Sequence, residues 1–192
     1  NINQHAYQKF NLLITNGTVV DGTGAESFRA DIGITGRRIE AIGNLSDSTA
    51  KHIIDATNLT ISPGFIDTHV HCDGALLMDP QHASSLRQGV TTEILGQDGL
   101  SYAPLSAKNY HIQRRYLSGI LGSPPENLDM TSVASFRSHY NEKVAVNTAY
   151  PVSHGALRIE SVGFRDAPLT DKALEHAKGL LRQGLEQGAV GL

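Results

Sequence analysis

Ser62-Pro63-Gly64-Phe65-Ile66-Asp67-Thr68-His69-Val70-His71 marks the point at which the chain changes grammar. Pro63-Gly64 interrupts whatever precedes it, and residues 65–71 read as an apolar strand. Strand side chains alternate, so Asp67, His69 and His71 share one face while Ile66, Thr68 and Val70 share the other. Two imidazoles on successive same-face positions can converge on one metal ion, and neutral imidazole is a common zinc ligand. Asp67, two residues earlier, is placed to accept a ring N–H and fix a tautomer. A bare His-x-His is a short pattern that nine histidines in 192 residues produce readily by chance. Its weight comes from its position at a strand end, ahead of a helix.

Upstream, the chain reads as short strands joined by Gly-rich turns. Residues 12–15 and 18–20 flank Asn16-Gly17, the dipeptide best suited to a two-residue hairpin. Residues 21–24 form a second turn. Residues 30–34 alternate, turn through Gly36-Arg37-Arg38 and resume at 39–42, with further strands at 52–55 and 59–61. Strands this short need another sheet to pack on, so residues 1–61 are expected to form an incomplete β-sandwich module.

Downstream, strand and helix alternate, as in βα units around a parallel sheet. Asp79-Pro80 reads as an N-cap with proline at the first helical position, and Gly89 as the close of that helix. A second strand follows at 91–95, then Gly96 and Gly99 in a loop. Residues 101–130 read as a long loop with some helix. Val133, Phe136 and Tyr140 mark a further helix. A third strand at 144–152 ends in Ser153-His154-Gly155, and Leu174, Ala177, Leu181 and Leu185 line one face of a helix entered through Thr170-Asp171. Gly188-Ala189-Val190-Gly191-Leu192 begins a fourth strand.

Composition narrows the function. The chain is 40% hydrophobic and 18% charged, a globular balance. A net charge of −3 offers no electrostatic footprint for nucleic acid. No run approaches the roughly 18 apolar residues of a spanning helix, and Asn1–Phe10 lacks the apolar core of a secretory leader, so neither membrane insertion nor export is expected. The single cysteine, Cys72, rules out an internal disulfide and suits a reducing, cytoplasmic setting. His5, His52, His82, His111, His139 and His176 have no partner spacing and read as surface or packing residues. Gly22-Thr23-Gly24 lacks the third glycine of a dinucleotide site, and there is no Gly-x-Ser-x-Gly elbow.

The segment from Ser62 to His71 resembles the first-strand signature of the amidohydrolase superfamily. The opening Asn16-Gly17-Thr18-Val19-Val20-Asp21-Gly22 resembles that superfamily's N-terminal β module. Four further segments resemble one branch, the N-acyl-D-amino-acid deacylases: residues 84–93, Ala103-Pro104-Leu105, His154-Gly155-Ala156-Leu157-Arg158, and residues 185–192. The resemblance runs in register over most of the chain, from Leu12 to Leu192. It implies the first half of a TIM-like (β/α)₈ metal-dependent hydrolase barrel in residues 62–192, preceded by part of a small β-sandwich in 1–61. His69 and His71 match the family's first-strand metal pair. The next family ligand is a cysteine in Gly-Asn-Cys-Gly, where this chain has Gly96-Gln97-Asp98-Gly99. Asp98 is therefore the candidate ligand there, with an Asp-Gly turn as the alternative use. Cys72 would point away from His71 if the strand continued, so it does not replace that cysteine. His154 falls where the family carries a similar His-Gly-x-Leu-Arg, which implies a place near the substrate; capping the strand is its other reading.

The resemblance implies one or two divalent ions, zinc foremost, and hydrolysis of the amide bond of an N-acyl amino acid of D configuration. The ion would activate water and polarise the acyl oxygen, and a carboxylate would carry the proton to the leaving amine. In the family that carboxylate and further histidines lie on late strands, so the catalytic carboxylate is expected beyond Leu192. A cyclic-amide hydrolase of the dihydroorotase or hydantoinase kind, and a non-catalytic barrel scaffold, are the alternatives. A barrel of this type takes about 250 residues, and residues 62–192 are about half of that. The chain is accordingly expected to be inactive alone and to need a C-terminal barrel half or a second copy.

Overall fold

A computed structural model describes residues 9–192, so His5 lies outside the described residues; the chain divides into two compact units after Pro63. The first is a sheet. Strand β1 (Lys9–Val19) pairs antiparallel with β2 (Phe28–Thr35), which pairs antiparallel with β3 (Arg38–Gly43). On its other side β1 runs parallel to β4 (Thr49–Asp55) and then to the short β5 (Thr60–Ile61). Val19, Ala30 and Ile32 are its buried centre, flanked by Ile14, Ile34 and Ile61. Gly33 is required on β2, because a Cβ there would fall 2.5 Å from the ring of Phe10.

Asn16-Gly17 does not make the expected hairpin. The strand runs straight through, with a register shift against β2 between Ile14 and Gly17. Asn16 takes the left-handed φ of 61°, and its N–H leaves the ladder to donate to Asp31 Oδ1 at 2.8 Å. The same dipeptide that can reverse a chain here absorbs one extra residue as a bulge. The reversal falls at residues 20–27 instead.

The second unit holds three parallel strands in sequential order: β6 (Phe65–Asp67), β7 (Val90–Ile94) and β8 (Asn147–Ala149). Helical crossovers connect them, the geometry that parallel neighbours demand. The first carries α1 (Asp73–Met78) and α2 (Ala83–Leu86). The second carries α3 (Ala107–Tyr116), α4 (Ser118–Leu121) and α5 (Val133–Ser138). After β8 come α6 (His154–Val162) and α7 (Asp171–Glu186). Beyond α7 the chain runs beside the segment that follows β8: Val190 N–H donates to Tyr150 O at 3.0 Å, and Val152 N–H to Gly191 O at 2.8 Å. The fourth strand expected over residues 188–192 is thus present only as a pair of ladder bonds, and Leu192 at its end is exposed.

Two helix boundaries differ from the sequence reading. Asp79 ends α1 instead of starting a helix, at φ −126° and ψ 84°. The residue before a proline is barred from the helical region, so Asp79-Pro80 acts as a stop. Helix α6 begins at the Ser153-His154-Gly155 where the sequence reading closed a strand; the Ser153 hydroxyl accepts the Ala156 N–H at 3.2 Å and starts it. The core beneath these elements is aromatic at its centre. Phe136 packs at 4.3 Å from the Tyr150 ring and 4.9 Å from the Tyr140 ring, all three essentially inaccessible. Each such side chain contributes about 1.5–3 kcal/mol through the apolar area it removes from water.

Candidate metal centre

The sequence placed His69 and His71 on a continuing strand. The ladder stops earlier, at Asp67. Asp67 Oδ1 accepts the backbone N–H of His69 at 3.0 Å, which turns the chain away from β7. The ring contact expected of Asp67 is replaced by this backbone bond, so Asp67 aims the histidine through the main chain. The two imidazoles still meet: their centroids lie 5.4 Å apart, edge to face.

Asp98 comes to them from the loop after β7. It sits in a single 3₁₀ turn, Gln97–Gly99, with φ 56° and ψ 20°. Asp and Asn enter this left-handed region more readily than other non-glycine residues. Its Oδ2 lies 3.2 Å from His69 Nε2 and 3.2 Å from His71 Nε2. The turn reading of Asp98 holds for its backbone, and its side chain is aimed at the two rings.

The turn is clamped from below by a residue that sequence reading missed. Asp73 is fully buried, and its Oδ1 accepts the Gly96 N–H at 3.2 Å and the Ser101 hydroxyl at 2.5 Å. Burial pushes the Asp73 carboxyl up to about 6, while the bonds from Ser101 and Gly96 pull the other way. Nothing periodic announces Asp73. Its one sequence signal is an acidic residue close after the His pair, in the first turn of α1. From the other side, Ser153 Oγ donates to Gly99 O at 2.5 Å. A Cβ on Gly99 would lie 3.4 Å from the Cβ of His154, so the first residue of α6 stands beside the Asp98 turn.

The donor set fits a zinc-class ion. Ligand atoms about 2.0–2.1 Å from a tetrahedral ion stand roughly 3.3 Å from one another, close to the 3.2 Å seen here between Asp98 Oδ2 and each imidazole nitrogen. The group is open: the side chains of His69, His71 and Asp98 are 59%, 29% and 56% exposed. A water or substrate atom can reach it, as a catalytic ion requires. Asp67 and Asp73 are both engaged with backbone N–H groups.

A second group lies one residue along the chain. Cys72 Sγ donates to Glu93 Oε2 at 3.0 Å, and His82 Nε2 stands 3.5 Å from Glu93 Oε1. Cys72 takes no part in the open group, as the sequence implied. Burial, and then the Glu93 carboxylate, push its thiol far above the ordinary range. His82, read from sequence as a surface or packing residue, has its ring turned inward to a buried acid.

The model of the amidohydrolase family matches residues 52–190. The chain belongs to the amidohydrolase family. It is 34% identical to a D-aminoacylase of Alcaligenes xylosoxydans xylosoxydans, over its whole length and 39% of that enzyme. Among solved structures it resembles the N-acyl-D-glutamate deacylase of Bordetella bronchiseptica, complexed with zinc and a phosphonate inhibitor that mimics the reaction's tetrahedral intermediate. There the TM-score is 0.83 at 31% identity, covering 96% of this chain and 38% of that one. A D-aminoacylase described for its binuclear metal centre matches with a TM-score of 0.83 at 33% identity, over 95% of this chain and 38% of that one. The chain thus spans about two-fifths of these relatives' length. Its fold is the first part of the amidohydrolase α/β barrel, preceded by part of the small β module. No helix among the described residues is long and apolar enough to cross a membrane.

Proposed function

We propose that this protein hydrolyses the amide bond of N-acyl-D-amino acids at a zinc centre to which His69, His71 and Asp98 belong. The observation that carries it is the convergence of both imidazole Nε2 atoms on one carboxylate oxygen, at 3.2 Å each, in an open group. The similarity to deacylases of D-amino-acid derivatives supports the substrate class. Zinc bound there supplies Lewis acidity towards the acyl oxygen and lowers the pKa of water.

The chain's own residues do the rest. His69 and His71 offer imidazole nitrogens, and Asp98 brings the negative charge that the family's cysteine would bring. A carboxylate is harder than a thiolate, which shifts preference toward oxygen-seeking divalent ions relative to the cysteine form. Asp67 fixes the His69 backbone, and Asp73 fixes the turn that carries Asp98. His154, beside that turn, is the residue we assign to orienting the substrate, with residues 101–130 forming the wall against its side chain. The single cysteine supports a reducing, cytoplasmic setting.

Two measurements test this reading. The protein as its source makes it should release free amino acid from N-acetyl-D-amino acids and leave their L-isomers, hydantoins and dihydroorotate largely intact. The 192-residue chain should retain zinc after dialysis and lose at least about a hundredfold in affinity with His71→Asn or Asp98→Ala. Ring opening without deacylation would move it to the cyclic-amide hydrolases. Absence of bound zinc from the protein as its source makes it would mark a scaffold.

A further inference from the structure

The Cys72, His82 and Glu93 group is built differently from the open centre and shares no residue with it. Glu93 lies on β7 and is completely buried. One carboxylate oxygen accepts the Cys72 thiol at 3.0 Å. The other, Oε1, is buried without a hydrogen-bond partner among the described residues and faces His82 Nε2 at 3.5 Å. One donor atom from each residue falls within 4.8 Å of the other two. His82 is held at φ 40° and ψ 46°, a backbone setting that non-glycine residues rarely adopt, and its side chain is only 15% exposed.

A buried carboxylate with an unpaired oxygen needs a compensating charge beyond a neutral thiol. A divalent cation held among the three groups would supply it and give Oε1 a partner. One sulfur, one imidazole nitrogen and one carboxylate oxygen form a borderline-soft set, suited to zinc-class ions and poorly suited to magnesium or calcium. We propose that Cys72, His82 and Glu93 form a second, closed metal site with a structural role. On binding, the Cys72 proton leaves to solvent and a sulfur–metal bond replaces the S–H···O bond. Cys72 precedes α1 and His82 follows it, so the ion ties both ends of that helix to β7. The segment it secures is the one that leads directly out of His71.

Cobalt(II) tests this cleanly, because Cys72 is the sole cysteine of the 192 residues. The metal-free chain is titrated with cobalt in the presence of a non-thiol reductant, and circular dichroism confirms folding of each variant. A thiolate-to-cobalt charge-transfer band in the near ultraviolet is expected in the wild-type chain. It should persist in the His69→Asn/His71→Asn double variant and vanish in Cys72→Ser, with about one equivalent of metal lost. His82→Ala and Glu93→Gln should each raise the titration midpoint by about tenfold or more. The proposal is overturned by a wild-type chain saturated with cobalt that shows no such band. It is equally overturned by a band whose midpoint His82→Ala and Glu93→Gln leave unchanged.

Discussion

His71 and Cys72 are joined by one peptide bond, yet they serve opposite surroundings. His71 looks outward to Asp98 in a group whose members are 29–59% exposed. Cys72, 3% exposed, looks inward to a carboxylate that no solvent reaches. Both groups mix histidine with a carboxylate, so residue type does not separate them. Access does. An open group can exchange water and substrate, whereas a closed one can only hold its neighbours in place. The chain has left the β6 ladder by this point, so each side chain goes its own way.

The sharpest way to break this contrast is thermodynamic. Glu93→Ala should cost about 3 kcal/mol, since it opens a cavity and strands a thiol and an imidazole. Asp98→Asn, at an exposed position whose left-handed backbone asparagine tolerates, should stay within about 0.5 kcal/mol. Urea denaturation of the two variants measures both. Equal costs would erase the distinction between a structural and a functional group. Next in size is Gly99→Ala. Gly99 has φ 71°, and an added Cβ would meet Gly155 N at 3.3 Å. A loss of about 1–2 kcal/mol is expected, together with weaker zinc retention at the open group and an unchanged cobalt–thiolate spectrum.

The smallest effect concerns the core that supports both groups. Tyr110 donates its hydroxyl to Pro125 O at 2.7 Å, and burial pushes its phenol up to about 12. The folded chain therefore holds this proton more tightly than the unfolded chain. Its share of stability is complete below about pH 10 and is lost as pH rises from there towards about 12. Tyr110→Phe should cost about 1 kcal/mol at neutral pH and make the alkaline loss of stability shallower. Denaturation midpoints measured at neutral pH and on the alkaline side give both numbers.

The open group was legible in the sequence in two different ways. His69 and His71 have strand spacing behind an apolar run, whereas Asp98 came only from the family resemblance, at the place of the family's cysteine. The closed group was not legible. Glu93 falls within a β-branched strand, His82 in a segment read as a helix and without partner spacing, and Cys72 just past the end of the strand as read. What joins them is the packing of α2, which His82 caps, against β7, and no periodic pattern reports on that. The same limit explains the two misread dipeptides. Asn16-Gly17 and Asp79-Pro80 each permit two local conformations, and distant partners chose: Asp31 took the Asn16 amide, while the helix already begun at Asp73 left Asp79 only the role of ending it.

Asp73 also decides when the site can exist. It ties to Gly96, Ser101 and Tyr140 across sequence separations of 23, 28 and 67 residues, the last through its own carbonyl. Contacts over such spans bear the entropy of closing long loops before they return any stabilisation. A chain with every helix formed would still lack the turn that presents Asp98. The geometry of the open group therefore depends on contacts that join α1, the loop after β7 and the segment after α5, which no single element supplies.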